Sequence, residues 1–139
     1  MPISYTEAFA KYGATLTNPQ WSVSALGPEP CLVVSLYQDL IKRGETKGTL
    51  VYRDVLSDWK GNEPGRNELR QHLRKAKVSN LPIRLVIAHP VSPDEAKLVG
   101  KVPDESIIKK TFSVREDLVG ELVEFDDNSI TIVFRRAGS

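Results

Sequence analysis

Short segments with the two-residue periodicity of β-strands dominate this sequence, and turn residues separate most of them. In each segment apolar side chains alternate with polar ones, or run together over the length of a strand. Seven segments fit this description: 21–26, 31–36, 49–55, 82–89, 107–112, 118–125 and 130–136. We predict that the first three form a meander, that 82–89 is a central strand, and that the last two form a hairpin.

Two further segments have helix signals. Ser4 and Glu7 have the spacing of a capping box, which predicts a short helix over 5–12. The second helix follows the turn residues 61–65 and ends near residue 77, and its apolar residues recur at helix spacing: Leu69, Leu73 and Ala76. A single helical turn is predicted near 94–99.

These elements predict one α+β domain over residues 1–139. The chain has the length of one domain and can bury one core. The sheet is expected to be mostly antiparallel and curved, or to form a small open barrel, of which the PUA-like barrel is one form. The long helix and the short N-terminal helix would pack against it.

Composition excludes several classes of protein. One cysteine, Cys31, rules out an internal disulfide, and two histidines are too few for an ordinary structural zinc site. The chain has no secretory signal pattern and no run of eighteen apolar residues, so we expect a cytoplasmic protein without a membrane span. No cofactor motif is present, and no cofactor or metal is expected.

Charge is distributed unevenly although the formal net charge is only +1. Between residues 66 and 84 there are six basic residues and one acidic residue, whereas between 104 and 127 there are eight acidic residues and three basic ones. A domain with two such regions can bind an anion or a second copy of itself. A homodimer is therefore one of the expected partners, and nucleic acid is the other.

The long helix carries a basic stripe, which we define as Arg66, Arg70, Arg74 and Lys77. Their spacing places the four side chains along one side of the helix. Like charges at this spacing repel one another, and guanidinium groups suit phosphate oxygens. The stripe therefore predicts a nucleic-acid-binding domain without catalysis.

Trp59 and Lys60 lie in the polar stretch just before that helix, where an exposed indole flanked by a lysine could stack on a base. The alternative is that the indole of Trp59 folds back over the edge of the core. For the stripe, the alternatives are a solvated helix face or pairing with the acidic C-terminal third, within one chain or across a dimer. Under the dimer alternative the protein is an interaction or self-association module.

An enzyme is the third hypothesis. Phosphate-binding loops and nucleophile elbows are absent from the sequence, and Cys31, His72 and His89 have no sequence-local catalytic partner, so no catalytic residue is assigned. Two acid-x-lysine tripeptides are the remaining signal, since a metal-dependent nuclease needs carboxylates and a nearby lysine. The residues concerned are Glu95 with Lys97 and Glu45 with Lys47, with Asp54 or Asp58 as a second ligand.

Three stretches together resemble short uncharacterised bacterial or phage-borne proteins of unknown function. These stretches are Trp21-Ser22-Val23-Ser24-Ala25, Leu36-Tyr37-Gln38-Asp39, and Gly65 with Glu68 before the helix leucines. The resemblance spans most of the chain. It implies a stand-alone bacterial domain and no particular activity.

Overall fold

Eight strands form one mixed sheet in the computed structural model, which describes residues 3–137. The strands are β1 Ser24–Gly27, β2 Cys31–Tyr37, β3 Ile41–Arg43, β4 Thr49–Val55, β5 Ile83–Pro90, β6 Lys110–Val114, β7 Leu118–Phe125 and β8 Ser129–Arg136. The helices are α1 Tyr5–Ala10, α2 Glu63–Ser79 and α3 Pro93–Ala96, and short 3₁₀ turns occur at Gln38–Leu40, Leu56–Asp58 and Glu105–Ile107. The predicted α+β class is confirmed.

The strand order is β1-β2-β5-β7-β8-β4-β3, and β6 pairs with β5 beside β7. Every neighbouring pair is antiparallel except β2 with β5, which is parallel. The sheet does not close into a barrel. A mostly antiparallel open sheet, and a central position for β5, are therefore confirmed.

The predicted meander is wrong beyond its first pair. β2 does pair with β1, but its other neighbour is β5, and β4 pairs instead with β3 and β8. The physical reason is that β2 has apolar side chains on both faces, and Leu32, Val33 and Val34 are fully buried. A strand of this kind needs cover on both faces and lies inside the sheet.

One edge of β5 is shared between two strands. Ile83 at the start of β5 pairs with Gly120 of β7, whereas Val86–Pro90 pairs with β6. The sheet therefore has two parts, β1-β2-β5-β6 and β7-β8-β4-β3. They are joined by pairing at the first half of β5. The carboxyl ends of β2 and β5 extend beyond that shared part.

Helices cover both faces of the sheet. Fully buried Leu73 of α2 packs in the larger core cluster with Leu32, Ile83 and Phe134, which come from three different strands. On the opposite face, Phe9 of α1 packs in a second cluster, whose members also include Val33 and Val86. The predicted packing by one long and one short helix is confirmed.

Local capping defines both ends of α2. The side chain of Asn62 accepts a hydrogen bond from the Gly65 backbone N–H at 3.2 Å, and Asn80 ends the helix in the left-handed region at φ 52°. Asparagine tolerates this conformation better than most residues. In α1, Ser4 and Glu7 form the predicted capping box, but the helix ends at Ala10 rather than near residue 12. No helix within residues 3–137 combines the length and apolarity required to cross a bilayer.

His72 joins α2 to β1, and this contact makes stability depend on pH. Its Nδ1 lies 2.8 Å from the hydroxyl of the fully buried Ser24. Burial lowers the pKa of His72, with Glu68 opposing and Lys75 reinforcing the shift. Because the unfolded chain then binds the proton more readily, the stabilising contribution is present above the ordinary pKa of about 6.5 and is lost as the pH falls.

We therefore expect the Tm to fall between pH 7.5 and pH 5.5, and to fall less in His72→Gln. Thermal unfolding followed by circular dichroism measures both values. An equal fall in the two proteins would contradict the assignment to His72.

Candidate functional site

The basic stripe of α2 faces the turn between β7 and β8. Arg74 Nε donates to Asp127 Oδ1 at 2.8 Å, and Arg70 Nε donates to the backbone carbonyl of Asp127 at 2.9 Å. Lys77 Nζ donates to the carbonyl of Phe125 at 2.7 Å. Arg66 makes no side-chain hydrogen bond with the described residues, although its Nε is shielded from solvent.

The turn is shaped to present Asp127 to these cations. Asp126 Oδ1 accepts from the backbone N–H groups of Asn128 and Ser129 at 3.1 and 2.7 Å, and Asp127 adopts a left-handed φ of 74°. The hydrogen bond from Arg74 is the largest cause of a lowered pKa at Asp127, and the charges of Arg70 and Lys77 add to it. Asp127 therefore stays ionised among three cations.

The acidic C-terminal third thus meets the basic helix within one chain. Other carboxylates of that region also have neighbours of their own: Glu121 lies 3.4 Å from Arg135, and Asp117 lies 2.9 Å from Arg115. These ion pairs are exposed, so each stabilises the fold by about 0–1 kcal/mol. For Arg74, this geometry matches one of the alternatives raised by the sequence, namely pairing with a carboxylate of the same chain.

Trp59 and Lys60 lie at a different place, in the segment between β4 and α2. The indole N–H of Trp59 donates to Asp54 Oδ2 at 2.9 Å, and the same oxygen accepts the Tyr52 hydroxyl at 2.5 Å. Trp59 is half-buried and packs against the larger core cluster, which is the folded-back arrangement considered from the sequence. Lys60 is exposed beside it.

These two residues line a cleft of about 910 Å³. It lies at the carboxyl ends of the parallel strands β2 and β5, where Tyr37 and Ala88 contribute to its lining. Aromatic side chains from six separate segments contribute to its walls: Tyr5, Trp21, Tyr37, Tyr52, Trp59 and Phe112. We refer to it as the aromatic cleft.

Two close backbone approaches shape the aromatic cleft. A side chain at Gly65, in the first turn of α2, would overlap the carbonyl oxygen of Trp21, which also accepts from Asn62 Nδ2 at 2.9 Å. A side chain at Gly61 would overlap the carbonyl oxygen of Pro103 in the loop between β5 and β6. Glycine at these positions lets α2 and that loop approach the two tryptophan segments.

A cation and a phenol lie together in the aromatic cleft. Lys110 Nζ is 5.6 Å from the ring centroid of Tyr37 and donates to the carbonyl oxygens of Glu105 and Ile108 at 2.7 and 3.2 Å. Burial lowers the pKa of Lys110 and raises that of Tyr37. The ammonium therefore already occupies a cation–π position on that ring.

The carboxylates of the nuclease hypothesis either accept hydrogen bonds from other groups or lie in exposed segments. Glu95 Oε2 accepts from the backbone N–H of Lys109 at 3.0 Å, Asp54 is held by Tyr52 and Trp59, and the segment from Glu45 to Lys47 lies in the exposed connection between β3 and β4. Within residues 3–137, no group of three or more His, Cys, Asp and Glu side chains converges on a point that could hold a metal ion.

The surroundings of His89 and Cys31 indicate structural roles for both side chains. His89 Nε2 lies 2.6 Å from the Ser113 hydroxyl and Nδ1 lies 2.9 Å from Gln38 Oε1, so the imidazole links β5, β6 and the 3₁₀ turn after β2. Cys31 is buried, and burial raises the pKa of its thiol. A thiol in this state is a poor nucleophile.

Sequence reasoning identified Trp59 and Lys60 but missed the aromatic cleft around them. The only available signal was the number of aromatic residues in segments that also carry turn residues, such as Trp21 and Tyr37. Comparison with known proteins does not extend this picture, because no family model, curated protein or solved structure matches the chain.

Proposed function

We propose that this protein is a non-catalytic domain that binds single-stranded nucleic acid, with phosphates held along the basic stripe and a base near Trp59 and Lys60. The observation that carries the proposal is the β7–β8 turn, which contacts both the stripe and the 3₁₀ turn Leu56–Asp58 that precedes Trp59. Asn128 in this turn accepts from the backbone N–H of Leu56 at 2.9 Å and bonds to Ser57, while Asp127 orients Arg70 and Arg74.

The stripe keeps donors for an external anion. Arg74 uses only Nε in its contact with Asp127, so both terminal amino groups remain without a partner among the described residues. Three cations contact this turn, which carries two carboxylates, Asp126 and Asp127, and Arg66 adds a fourth positive charge to the stripe, so positive charge is in excess. A phosphate can replace the carboxylate at small cost, since the Arg74 and Asp127 side chains are 54% and 55% exposed.

Single-stranded rather than duplex nucleic acid suits this arrangement. Trp59 offers a ring to one base, and stacking on aromatic side chains is sequence-tolerant. Phosphate contacts position the strand without reading its sequence. The domain is accordingly proposed to bind without strong sequence preference, and a cytoplasmic location belongs to the same proposal.

A salt titration tests the proposal. The affinity for a labelled single-stranded 20-mer, measured by fluorescence anisotropy, should fall as salt rises, with a log–log slope of about −2 to −3 for three or four phosphates. Arg70→Glu/Arg74→Glu should weaken binding by more than about tenfold. The matched control Lys42→Glu/Arg43→Glu reverses the same charge on exposed β3 and should change the affinity by less than about twofold.

One further variant acts in the opposite direction. Asp127→Asn tolerates the left-handed turn and still accepts from Arg74, but it removes the competing charge, so binding should tighten about two- to fivefold. Affinity that does not respond to salt, or that falls equally in the stripe and control variants, would refute the proposal. Light scattering that shows a dimer dissociated by salt and unaffected by the oligonucleotide would favour the self-association alternative.

A further inference from the structure

The aromatic cleft has ring surface that the protein itself does not use. The ring pairs in contact within residues 3–137 are Tyr5 with Phe9, at a centroid distance of 5.1 Å, and Tyr5 with Phe112, at 4.8 Å. Trp21 and Trp59 line the same cleft, are only half-buried, and form no ring pair with another of the described residues. Contact between aromatic rings is favourable, so these two indoles leave room for an external planar group.

The orientation of Trp59 is fixed before any ligand arrives. Asp54 accepts from the Trp59 indole and from the hydroxyl of Tyr52, which is almost fully buried in the cleft wall, and its second oxygen accepts from the Val55 backbone N–H at 2.8 Å. A ring held in this way loses little freedom when a ligand stacks on it. Preorganisation of this kind favours binding.

Two polar groups on residues that line the aromatic cleft are open to solvent rather than bonded within the described part of the protein. Neither the indole N–H of Trp21 nor the hydroxyl of Tyr37 forms a hydrogen bond with another of the described residues. The first is a donor only, and the second donates or accepts. A ligand that offers hydrogen-bond acceptors at the edge of a planar ring would satisfy both.

We infer that the aromatic cleft binds one unstacked nucleobase, with its face against the indole rings and its edge toward Trp21 Nε1 and the Tyr37 hydroxyl. The volume of about 910 Å³ accommodates a base with its sugar. This inference rests on the proposed function, because the base would belong to the strand that the stripe holds. The site does not itself require the stripe, and the two can be tested separately.

A quaternary ammonium group, which also binds to aromatic rings, fits this cleft less well. Both oxygens of Asp54 are already occupied by Tyr52, Trp59 and Val55. The other carboxylates that line the cleft are Asp104 and Glu105, which accept hydrogen bonds from the loop between β5 and β6, and Asp58, which is exposed. Lys110 already lies over the Tyr37 ring and would repel a second cation. A neutral ring with acceptor atoms meets neither obstacle.

The chain has two tryptophans, Trp21 and Trp59, and both line the aromatic cleft. The two indole cross-peaks in a ¹H–¹⁵N spectrum therefore report on this site alone, and Trp21→Phe and Trp59→Phe assign them. Titration with adenosine or thymidine, which carry no phosphate, should shift both cross-peaks. Tyr37→Phe should weaken the apparent affinity about three- to tenfold, as the loss of one hydrogen bond predicts.

Tetramethylammonium is the control ligand, and indole shifts produced by it but not by the nucleosides would overturn the inference. A 20-mer with abasic residues provides the other arm and should bind more weakly than the intact 20-mer. If intact and abasic strands bind equally and nucleosides shift neither cross-peak, the cleft inference fails while salt-dependent strand binding stands. If nucleosides shift both cross-peaks but reversal of the stripe leaves strand binding unchanged, the proposed function fails and the cleft inference stands.

Discussion

Replacing Leu73 with alanine is expected to lower the free energy of unfolding by about 2–5 kcal/mol, the largest stability effect that we predict for a single substitution. Leu73 is fully buried on α2 and belongs to the core cluster that joins this helix to β2, β5 and β8. Its removal costs the transfer free energy of the side chain and leaves a cavity among rigid strands. Urea denaturation followed by circular dichroism measures the change.

Val78 on the same helix supplies the matched control. Its side chain is 87% exposed, so Val78→Ala should change the free energy of unfolding by less than about 0.5 kcal/mol. If the two variants lost stability equally, the packing of α2 on the sheet described above would be wrong.

The second large effect is expected at Asp54. Asp54→Ala leaves the hydroxyl of Tyr52, which is 3% exposed, without an acceptor and also releases the indole of Trp59. An unsatisfied buried donor costs about 1–3 kcal/mol. We expect a loss of stability in this range in urea denaturation, together with a red-shifted tryptophan emission as Trp59 becomes more exposed to water.

A double-mutant cycle isolates this interaction. Tyr52→Phe removes the buried hydroxyl that donates to Asp54. In this background Asp54→Ala should therefore lower the free energy of unfolding by less than it does in the wild-type protein. Asp58→Ala, on the exposed end of the same segment, is the control and should have little effect. Equal costs of Asp54→Ala in both backgrounds would show that the hydroxyl does not depend on Asp54.

The elements predicted best from the sequence are those whose signals are local. The capping box at Ser4 and Glu7, the leucine spacing of α2 and the turn of the C-terminal hairpin each depend on neighbours a few residues away. Predicted boundaries differ from those observed by a few residues; β1, for example, begins at Ser24 rather than at Trp21. Trp21 instead contributes to the cleft wall.

Pairing between distant segments cannot be predicted from such local signals. The parallel contact of β2 with β5 joins strands separated by β3, β4 and α2. No residue in either strand indicates which strand is its partner. The short strand β3 was missed for a related reason. Its three residues, Ile41–Arg43, are too few to show a period, and they form a strand because β4 offers them an edge.

The candidate sites divide in the same way. The spacing of Arg66, Arg70 and Arg74 on one helix side followed from the sequence, but the carboxylate that meets Arg74 lies more than fifty residues away in a turn. The aromatic cleft draws its walls from segments throughout the chain, so no window of sequence contains it. Trp59 and Lys60 could be predicted because an indole beside a lysine in a polar stretch is a local signal.

The position of β8 between β7 and β4 has a consequence for how this protein is made. Within the sheet, β3 and β4 reach the other strands only through β8. A nascent chain that has not yet emerged from the ribosome beyond Phe125 therefore exposes an open edge of β4, and open strand edges promote association with other chains. The native sheet can be completed only after β8 has emerged, and until then we expect the open edge of β4 to be the part of the sheet most prone to association.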